Sequence, residues 1–415
     1  MQNKRRSFSN LSNSERISIL LFLLILFACL LNLAVDLTTS RQIFSRSSLI
    51  KRIFLPIAYL SFVIIFLISK NNERRQNLWN IKNFSILVLF TLWTSTFLNI
   101  YFSPVQLNLM AIVQGTMQIA GFILFLLIGN LLAEFSSRTF ELWKKFSLVL
   151  CFFNCFMIFP STPFSYISFQ CALFLLFIFK TDKVKREYFL LWIPIFVIIR
   201  VIYTLIYSNN PSYAVILLFT LNCAIFFVVF CRTKVRRIAL RFLTIGLIIF
   251  LPGSEIFSLM RGLNLEQTSE VSLHQRAWES RQVIDLIEGS LIQFLFGLGP
   301  GGYIDMSLAP DQRTLMNSGR NLFQVDDAHF LSSWILLKLG LFGLILFISL
   351  FLMILRFVYS ILTSNLALDP LDFLFILFAI SGISISLTAG TNFFTNPLTG
   401  ISFGVLLSRY RMYAS

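Results

Sequence analysis

The sequence has little charge and very little histidine. Only 13% of its 415 residues are charged and two are histidines, whereas 57% are hydrophobic. A soluble globular protein is about 45–50% apolar and has too few polar side chains to cover much more apolar surface than that. This balance excludes a soluble globular class and indicates a polytopic integral membrane protein.

Patterns that bind metals or direct cleavage are also missing. The six cysteines lie in or at the edges of apolar runs, form no C-x-x-C pair and fit no zinc site. We interpret them as lipid-facing or core residues, and the sequence predicts no metal and no cofactor. The basic N-terminus leads into an apolar run followed by Asn32 and Asp36, not by a small-residue cleavage site, which predicts an uncleaved first span.

Basic residues are in excess and give a formal net charge of +15. They do not form one basic face, because most of them lie in short clusters between apolar runs. Such clusters are typical of loops that anchor spans at the inner face of a membrane. The pattern excludes a nucleic acid partner and predicts contact with membrane lipid.

Long apolar runs dominate what is present. A helical span needs about 20 apolar residues, and backbone groups inside hydrocarbon must bond to one another, so such spans are helices. The predicted fold class is an all-α, polytopic transmembrane helical bundle of about 12 spans, with a large extracytoplasmic loop containing short helices. The fifth and sixth spans form either a tight hairpin or one broken element, and the division between the last two is also open. The twelve candidates run approximately over 17–35, 53–69, 84–101, 110–132, 146–160, 164–179, 188–207, 213–231, 238–252, 331–355, 371–388 and 392–408.

The distribution of lysine and arginine predicts the orientation. If the N-terminus is cytoplasmic, most basic residues lie in inner segments, and the short outer loops near 103–104, 161–162 and 209–211 carry none. The positive-inside rule then places both termini in the cytoplasm and the long loop outside it. The chain divides into an N-terminal bundle of about nine spans, a large extracytoplasmic loop and about three C-terminal spans, over residues 1–252, 253–330 and 331–415.

Several basic residues depart from this pattern. Arg41 and Arg46 lie in an outer loop, where they either anchor to lipid headgroups or form a cationic patch for a lipid-linked phosphate or pyrophosphate. Arg200 lies inside the seventh span, where it either faces a cavity or a partner or snorkels to the outer surface. Lys338 in the tenth span can snorkel in the same way.

The long loop carries the residue types that do chemistry. Residues 268–270 predict a helix start, and the helix is expected to run to about Glu288 with Ile284, Ile287 and Leu291 on one apolar face. Such a helix would lie at the membrane interface or on top of the bundle.

A glycine-rich turn and a histidine follow that helix. Gly297, Gly299 and Gly301 either let backbone N–H groups approach an anion or form a plain turn that re-enters the membrane. His329 lies just before the tenth span and is either an interface residue or a general acid or base, because an imidazole gains and loses a proton near neutral pH.

Short motifs follow one another in a definite order along this segment. Arg276 comes first, the F-G-x-G-x-G run from Phe296 follows about 20 residues later, and His329 precedes a span that carries Lys338. This order, with the large outer loop late in the chain, resembles the O-antigen ligase and polysaccharide repeat-unit polymerase superfamily over about 70 residues. Many members have Asn after the histidine, where this chain has Phe330.

The resemblance implies a metal-independent glycosyltransferase on the outer face of a bacterial plasma membrane. Its donor would be an oligosaccharide on undecaprenyl pyrophosphate, and other polysaccharide-assembly proteins are candidate partners. By similarity, His329 would activate the acceptor hydroxyl. Arginines would bind the pyrophosphate leaving group, first Arg276, with Arg281 competing for the same aligned position, and then Arg200, Arg41 and Arg46.

Three classes of function stay open at this point. The expected one is a polymerase of surface polysaccharide repeat units, with ligase-type transfer of a finished glycan to a lipid or other acceptor as the alternative enzyme. A transporter of lipid-linked oligosaccharide would be expected to show matched halves and polar residues lining several spans. A structural or signalling protein that uses the loop as a receptor would tolerate the loss of His329 and Arg276.

Overall fold

The computed structural model describes most of the chain in separate ranges. Three predicted spans lie wholly or mostly outside these ranges, 17–35, 53–69 and 238–252, and so do Arg41, Arg46 and His329. The described residues are 12, 14–23, 78–102, 109–133, 136–156, 162–181, 191–207, 213–230, 235, 238–239, 271–305, 324–325, 328, 330–363, 368–386, 393–394 and 396–414.

Helices make up nearly all of the described structure. Residues 14–23 form a helical segment that precedes the labelled helices. Two short strands, β1 (Ile304–Asp305) and β2 (Gln324–Val325), pair antiparallel with Ile304 opposite Val325. The helices are α1 (Leu78–Phe102), α2 (Leu109–Leu132), α3 (Ser137–Phe156), α4 (Thr162–Thr181), α5 (Trp192–Tyr207), α6 (Tyr213–Val229), α7 (Val271–Glu288), α8 (Leu291–Phe296), α9 (Leu331–Thr363), α10 (Pro370–Ser386) and α11 (Pro397–Ala414).

The predicted helical class is confirmed for the described ranges, with the β1–β2 pair as the departure from it. Two helical segments there are long and apolar enough to cross a membrane, Gly115–Leu132 in α2 and the whole of α9. Five shorter apolar helical segments accompany them. These helices indicate a membrane protein, and the count of twelve spans stays a prediction.

Helix α3 begins earlier than its hydropathy predicts. The expected span starts near residue 146, whereas α3 begins at Ser137, and the Ser136 hydroxyl accepts the backbone N–H of Thr139 at 3.0 Å as an N-cap. Hydropathy detects only the apolar part of a helix, so the polar first turns, including Lys144, were not predicted. Helices α3 and α4 are separate and pack against each other, which favours the hairpin interpretation.

Small residues let α2 and α11 pack closely. A Cβ added at Gly404 would lie 2.9 Å from the Cα of Gly129, and one at Gly400 would lie 2.6 Å from the Cβ of Phe125. Close backbone approach at small residues is a main source of helix association in membranes. Next to this crossing the Phe122 ring packs against Phe393 and Phe394, with centroids 4.9 and 5.6 Å away. This core holds the start of α11 against α2.

A buried ion-pair network ties three helix ends together. Arg409 of α11 donates from Nε and Nη2 to both carboxylate oxygens of Asp372, the second at 2.9 Å, and from Nη2 to Asp369 at 3.0 Å. Its Nη1 donates to the carbonyl of Ala133, just past α2, at 3.3 Å. Asp372 is fully buried, so the bidentate guanidinium is what compensates its charge. Asp369 and Asp372 lie at the start of α10, which follows shortly after the end of α9. The network therefore lies at the end of the bundle opposite the start of α9.

Replacing Arg409 with alanine is expected to destabilise the fold by about 3–5 kcal/mol, since Asp372 would keep a buried charge without its partner. The measurement is the thermal unfolding midpoint of the purified protein in detergent. The double variant with Asp372→Ala should recover part of the loss, because it removes the orphaned carboxylate. Lys145→Ala, at an exposed lysine, serves as the control for loss of one positive charge. A midpoint for Arg409→Ala equal to that of the control would refute a stabilising role for the network.

Candidate functional site

The glycine loop (Gly297–Gly302) lies between α8 and β1 and packs against a break in α9. Gly297 and Gly299 have φ values of 72° and 77°, in the left-handed region that favours glycine. The N–H of Leu298 donates to the carbonyl of Leu337 on α9 at 2.7 Å. The loop is therefore bonded directly to the backbone of a helix in the bundle, which the sequence did not predict.

The break in α9 falls at Gly340, whose φ of 63° and ψ of −162° are not helical. Carbonyls in the turn before a break lose their helical partners, and such groups are tolerated at membrane depth only where protein satisfies them. Here Leu298 satisfies the carbonyl of Leu337, and the Ser95 hydroxyl of α1 donates to the carbonyl of Lys338 at 3.4 Å. The loop and α1 together stabilise an interrupted helix.

Glycine is needed where the loop meets the bundle. A Cβ at Gly340 would lie 2.5 Å from both the carbonyl oxygen of Leu295 and the N of Phe296. A Cβ at Gly297 would lie 2.6 Å from the N of Gly340. From the other side, a Cβ at Gly115 of α2 would lie 2.6 Å from the carbonyl oxygen of Pro300. The loop is thus held between α9, α1 and α2 by backbone contacts that any side chain would disrupt.

Lys338 is held inside the protein and does not snorkel, which its own span had left possible. The snorkelling interpretation predicts an ammonium at the membrane surface, but the side chain is 1% exposed. Its Nζ donates to the carbonyls of Pro300 and Gly302 at 2.9 and 2.6 Å. The side chain turns toward the loop because these two carbonyls offer it acceptors inside the protein, whereas the lipid offers none.

Helix α7 packs on the start of α9 through a buried, partly polar face. The hydroxyls of Ser280 and Ser333 are 2.8 Å apart, and Glu279 is buried beside them. Ile287 of the predicted apolar face is buried, whereas Ile284 is 38% and Leu291 is 74% exposed. The placement of Leu291 on this face was wrong, because the helix ends at Glu288 and Leu291 begins α8, a different helix.

The positions of the two loop arginines fall on different sides of α7. Arg281 is exposed to solvent. Arg276 lies in α7 as well, but its side chain is outside the described part. On an ideal helix with about 100° per residue, position 276 falls about 40° from Ser280 and about 20° from Val283, which is fully buried. Of the two positions, 276 is therefore the one on the face that packs against the bundle.

The chain on both sides of His329 is buried, although His329 itself lies outside the described residues. Ala328 and Phe330 are both buried, and the N–H of Trp334 donates to the carbonyl of Phe330 at 2.9 Å, which opens α9. Ser333 lies four residues after position 329. The serine hydrogen bond therefore joins α7 to the residues that immediately follow the predicted base.

Trp334 was not singled out from the sequence. Its ring is fully buried, and the ring centroid lies 4.4 Å from that of Phe394. Its indole N–H has no acceptor in the part of the chain that the structure describes. An aromatic residue in an apolar run does not show from the sequence whether its ring faces the core or the lipid. Gly115 gave a weak signal, because a glycine inside an apolar helix often marks a close contact.

Arg200 has a protein partner, as one of its two interpretations predicts. Its guanidinium donates from Nη1 to the backbone carbonyl of Asn154 on α3. The Asn154 side chain in turn donates to Ser168 of α4 at 2.7 Å. This contact ties α5 to α3, and a role for Arg200 in an anion site stays a prediction.

Comparisons with protein-family models, with curated proteins and with solved structures give no match for this chain. Function is therefore inferred from the residues and from their arrangement. In that arrangement the glycine loop packs against the buried ammonium of Lys338. Helix α7, which carries Arg276 and Arg281, packs on the start of α9, just after position 329 in the chain.

Proposed function

We propose that this protein polymerises the repeat units of a surface polysaccharide. It would transfer a glycan from an undecaprenyl-pyrophosphate carrier to an acceptor sugar at the outer face of a bacterial plasma membrane. The charge bias supports an orientation with about twelve spans, both termini in the cytoplasm and the 253–330 segment outside. The membrane-length helices α2 and α9 support the setting.

The observation that carries the proposal is the hydrogen bond between Ser280 and Ser333. Arg276 lies four residues before Ser280 on α7, about 6 Å along the helix axis. His329 lies four residues before Ser333 in the chain. One buried contact thus connects the segments of the proposed leaving-group ligand and the proposed base, which lie 53 residues apart in the sequence.

The reaction assigns a distinct task to each residue. The acceptor hydroxyl oxygen bonds to the anomeric carbon of the donor, and the bond from that carbon to the pyrophosphate oxygen breaks with its electron pair on the pyrophosphate. His329 takes the hydroxyl proton, and Arg276 stabilises the negative charge on the leaving group. The products are a lengthened glycan and undecaprenyl pyrophosphate.

A transporter of lipid-linked oligosaccharide would need polar groups that line several spans. Buried polar side chains do occur, since Asn222 of α6 donates to the Ser381 hydroxyl of α10 at 2.9 Å and Gln170 of α4 donates to the same hydroxyl. They bond to one another across helices, as polar groups that hold a membrane bundle together do. This arrangement favours a structural role for the cluster over transport.

A strain that lacks the protein is expected to accumulate single repeat units on the carrier. The measurement is gel separation of its surface and carrier-linked glycans, with plasmid-borne wild-type protein as the control for restored polymer. Long polymer that stays on the carrier would contradict polymerisation and indicate the ligase alternative. An unchanged profile would contradict both enzymes and favour transport or signalling.

A further inference from the structure

The ammonium of Lys338 fixes the direction of two peptide groups in the glycine loop. It donates to the carbonyl of Pro300 at 2.9 Å and to the carbonyl of Gly302 at 2.6 Å, so both carbonyls converge on one cation. In a trans peptide unit the N–H points opposite to the C=O. The N–H groups of Gly301 and Tyr303 therefore point to the side of the loop away from Lys338.

These two N–H groups donate to no backbone carbonyl among the residues that the structure describes. Other N–H groups of the loop are used internally: that of Gly297 donates to the carbonyl of Gln293 at 2.7 Å, and that of Gly302 donates to the carbonyl of Gly299 at 3.0 Å. Buried backbone donors nearly always have a partner. The N–H groups of Gly301 and Tyr303 are therefore open to an acceptor from outside the described chain.

The chemistry of that acceptor follows from charge and geometry. A buried cation on the carbonyl side polarises each peptide unit and strengthens its N–H as a donor, most of all toward an anion. Because the two carbonyls converge on Lys338, the N–H groups of the same two peptide units diverge on the opposite side of the loop. Divergent donors suit an anion with several oxygens on neighbouring centres, such as a diphosphate, better than a single oxyanion.

We propose that Gly301 and Tyr303 bind the diphosphate of the lipid-linked donor through their backbone N–H groups, and that Lys338 is the positioning residue that orients and polarises these groups. The inference rests on the proposed glycosyl transfer and adds a second diphosphate contact beside Arg276. Lys338 itself does not touch the substrate, because the loop lies between it and the diphosphate.

The test compares Lys338→Met with wild-type protein in detergent or nanodiscs. Methionine keeps the length and volume of the side chain but removes the charge and the donors. The KM for the lipid-linked donor is expected to rise about tenfold or more, with little change in the KM for the acceptor. Inhibition by undecaprenyl pyrophosphate should weaken by a similar factor, and inhibition by undecaprenyl monophosphate should weaken less. Lys180→Met is the matched control, because its ammonium packs 3.6 Å over the Phe230 ring and contacts no part of the loop.

A second pair of variants leaves Lys338 in place. Tyr303→Pro removes one of the two N–H groups, whereas Tyr303→Ala keeps it, so inhibition by undecaprenyl pyrophosphate should weaken more in the proline variant than in the alanine variant. Equal inhibition constants in wild-type, Lys338→Met and Tyr303→Pro proteins would overturn the inference. Loss of donor and acceptor binding together, with a lowered unfolding midpoint, would also overturn it, because that result indicates a purely structural lysine. Wild-type protein that polymerises nothing would instead refute the proposed function.

Discussion

His329→Ala and Arg276→Ala are each expected to stop chain extension while the protein stays in the membrane. A general base contributes about 10²–10⁴-fold to a rate, and one charge-stabilising group contributes about 10²–10³-fold. At such losses the ladder of polymer lengths on a glycan gel should collapse to the single repeat unit. The measurement is complementation of the deletion strain, with the protein level in membranes checked for each variant.

The comparison with Arg281 makes this test specific. Arg281→Ala removes the same charge from the same helix, but from an exposed position rather than from the face that packs on α9. We expect its polymer to be close to that of the wild type. Normal polymer from both His329→Ala and Arg276→Ala would refute the proposed roles, and loss of polymer only in Arg281→Ala would transfer the pyrophosphate contact to that residue.

Replacing Gly340 with alanine is expected to abolish polymer formation by displacing the glycine loop. With φ 63° and ψ −162°, Gly340 lies in a backbone region that is essentially restricted to glycine, and an L-residue there costs about 1–3 kcal/mol in backbone conformation alone. The new Cβ would also lie 2.5 Å from the carbonyl oxygen of Leu295 and from the N of Phe296, both backbone atoms of α8 that cannot rotate away. The segment must therefore move, and the bonds from Leu298 to Leu337 and from Lys338 to the loop would lengthen or break.

Two measurements separate this effect from general unfolding. Amide hydrogen exchange should rise within residues 297–303 in Gly340→Ala, while the distant crossing of α2 and α11 keeps its protection. Gly289→Ala is the matched control, because a Cβ there meets no atom within 4 Å. If Gly340→Ala and Gly289→Ala both make normal polymer, the break in α9 has no part in the function.

The sequence alone determined the properties that depend on local composition. Hydropathy predicted five of the eleven helices in the described ranges to within four residues at both ends, for example 213–231 against Tyr213–Val229, because an apolar run is visible without knowledge of its neighbours. The end of α7 near Glu288 was predicted for the same reason, from a glycine after a helical pattern. The order of Arg276, the glycine loop and His329 was likewise a property of the chain, and their proposed chemistry is what the family resemblance implies, with residue types that suit it.

Only the tertiary structure decided which of these residues meet. Snorkelling was one possibility for Lys338, since nothing in its own span indicates that Pro300 and Gly302 lie within reach. The hydroxyl of Ser95, which supports the break at Gly340, comes from a helix 243 residues away. A hydropathy pattern reports whether a residue prefers lipid or water. It does not report which backbone carbonyl an ammonium will find once helices from distant parts of the chain have packed together.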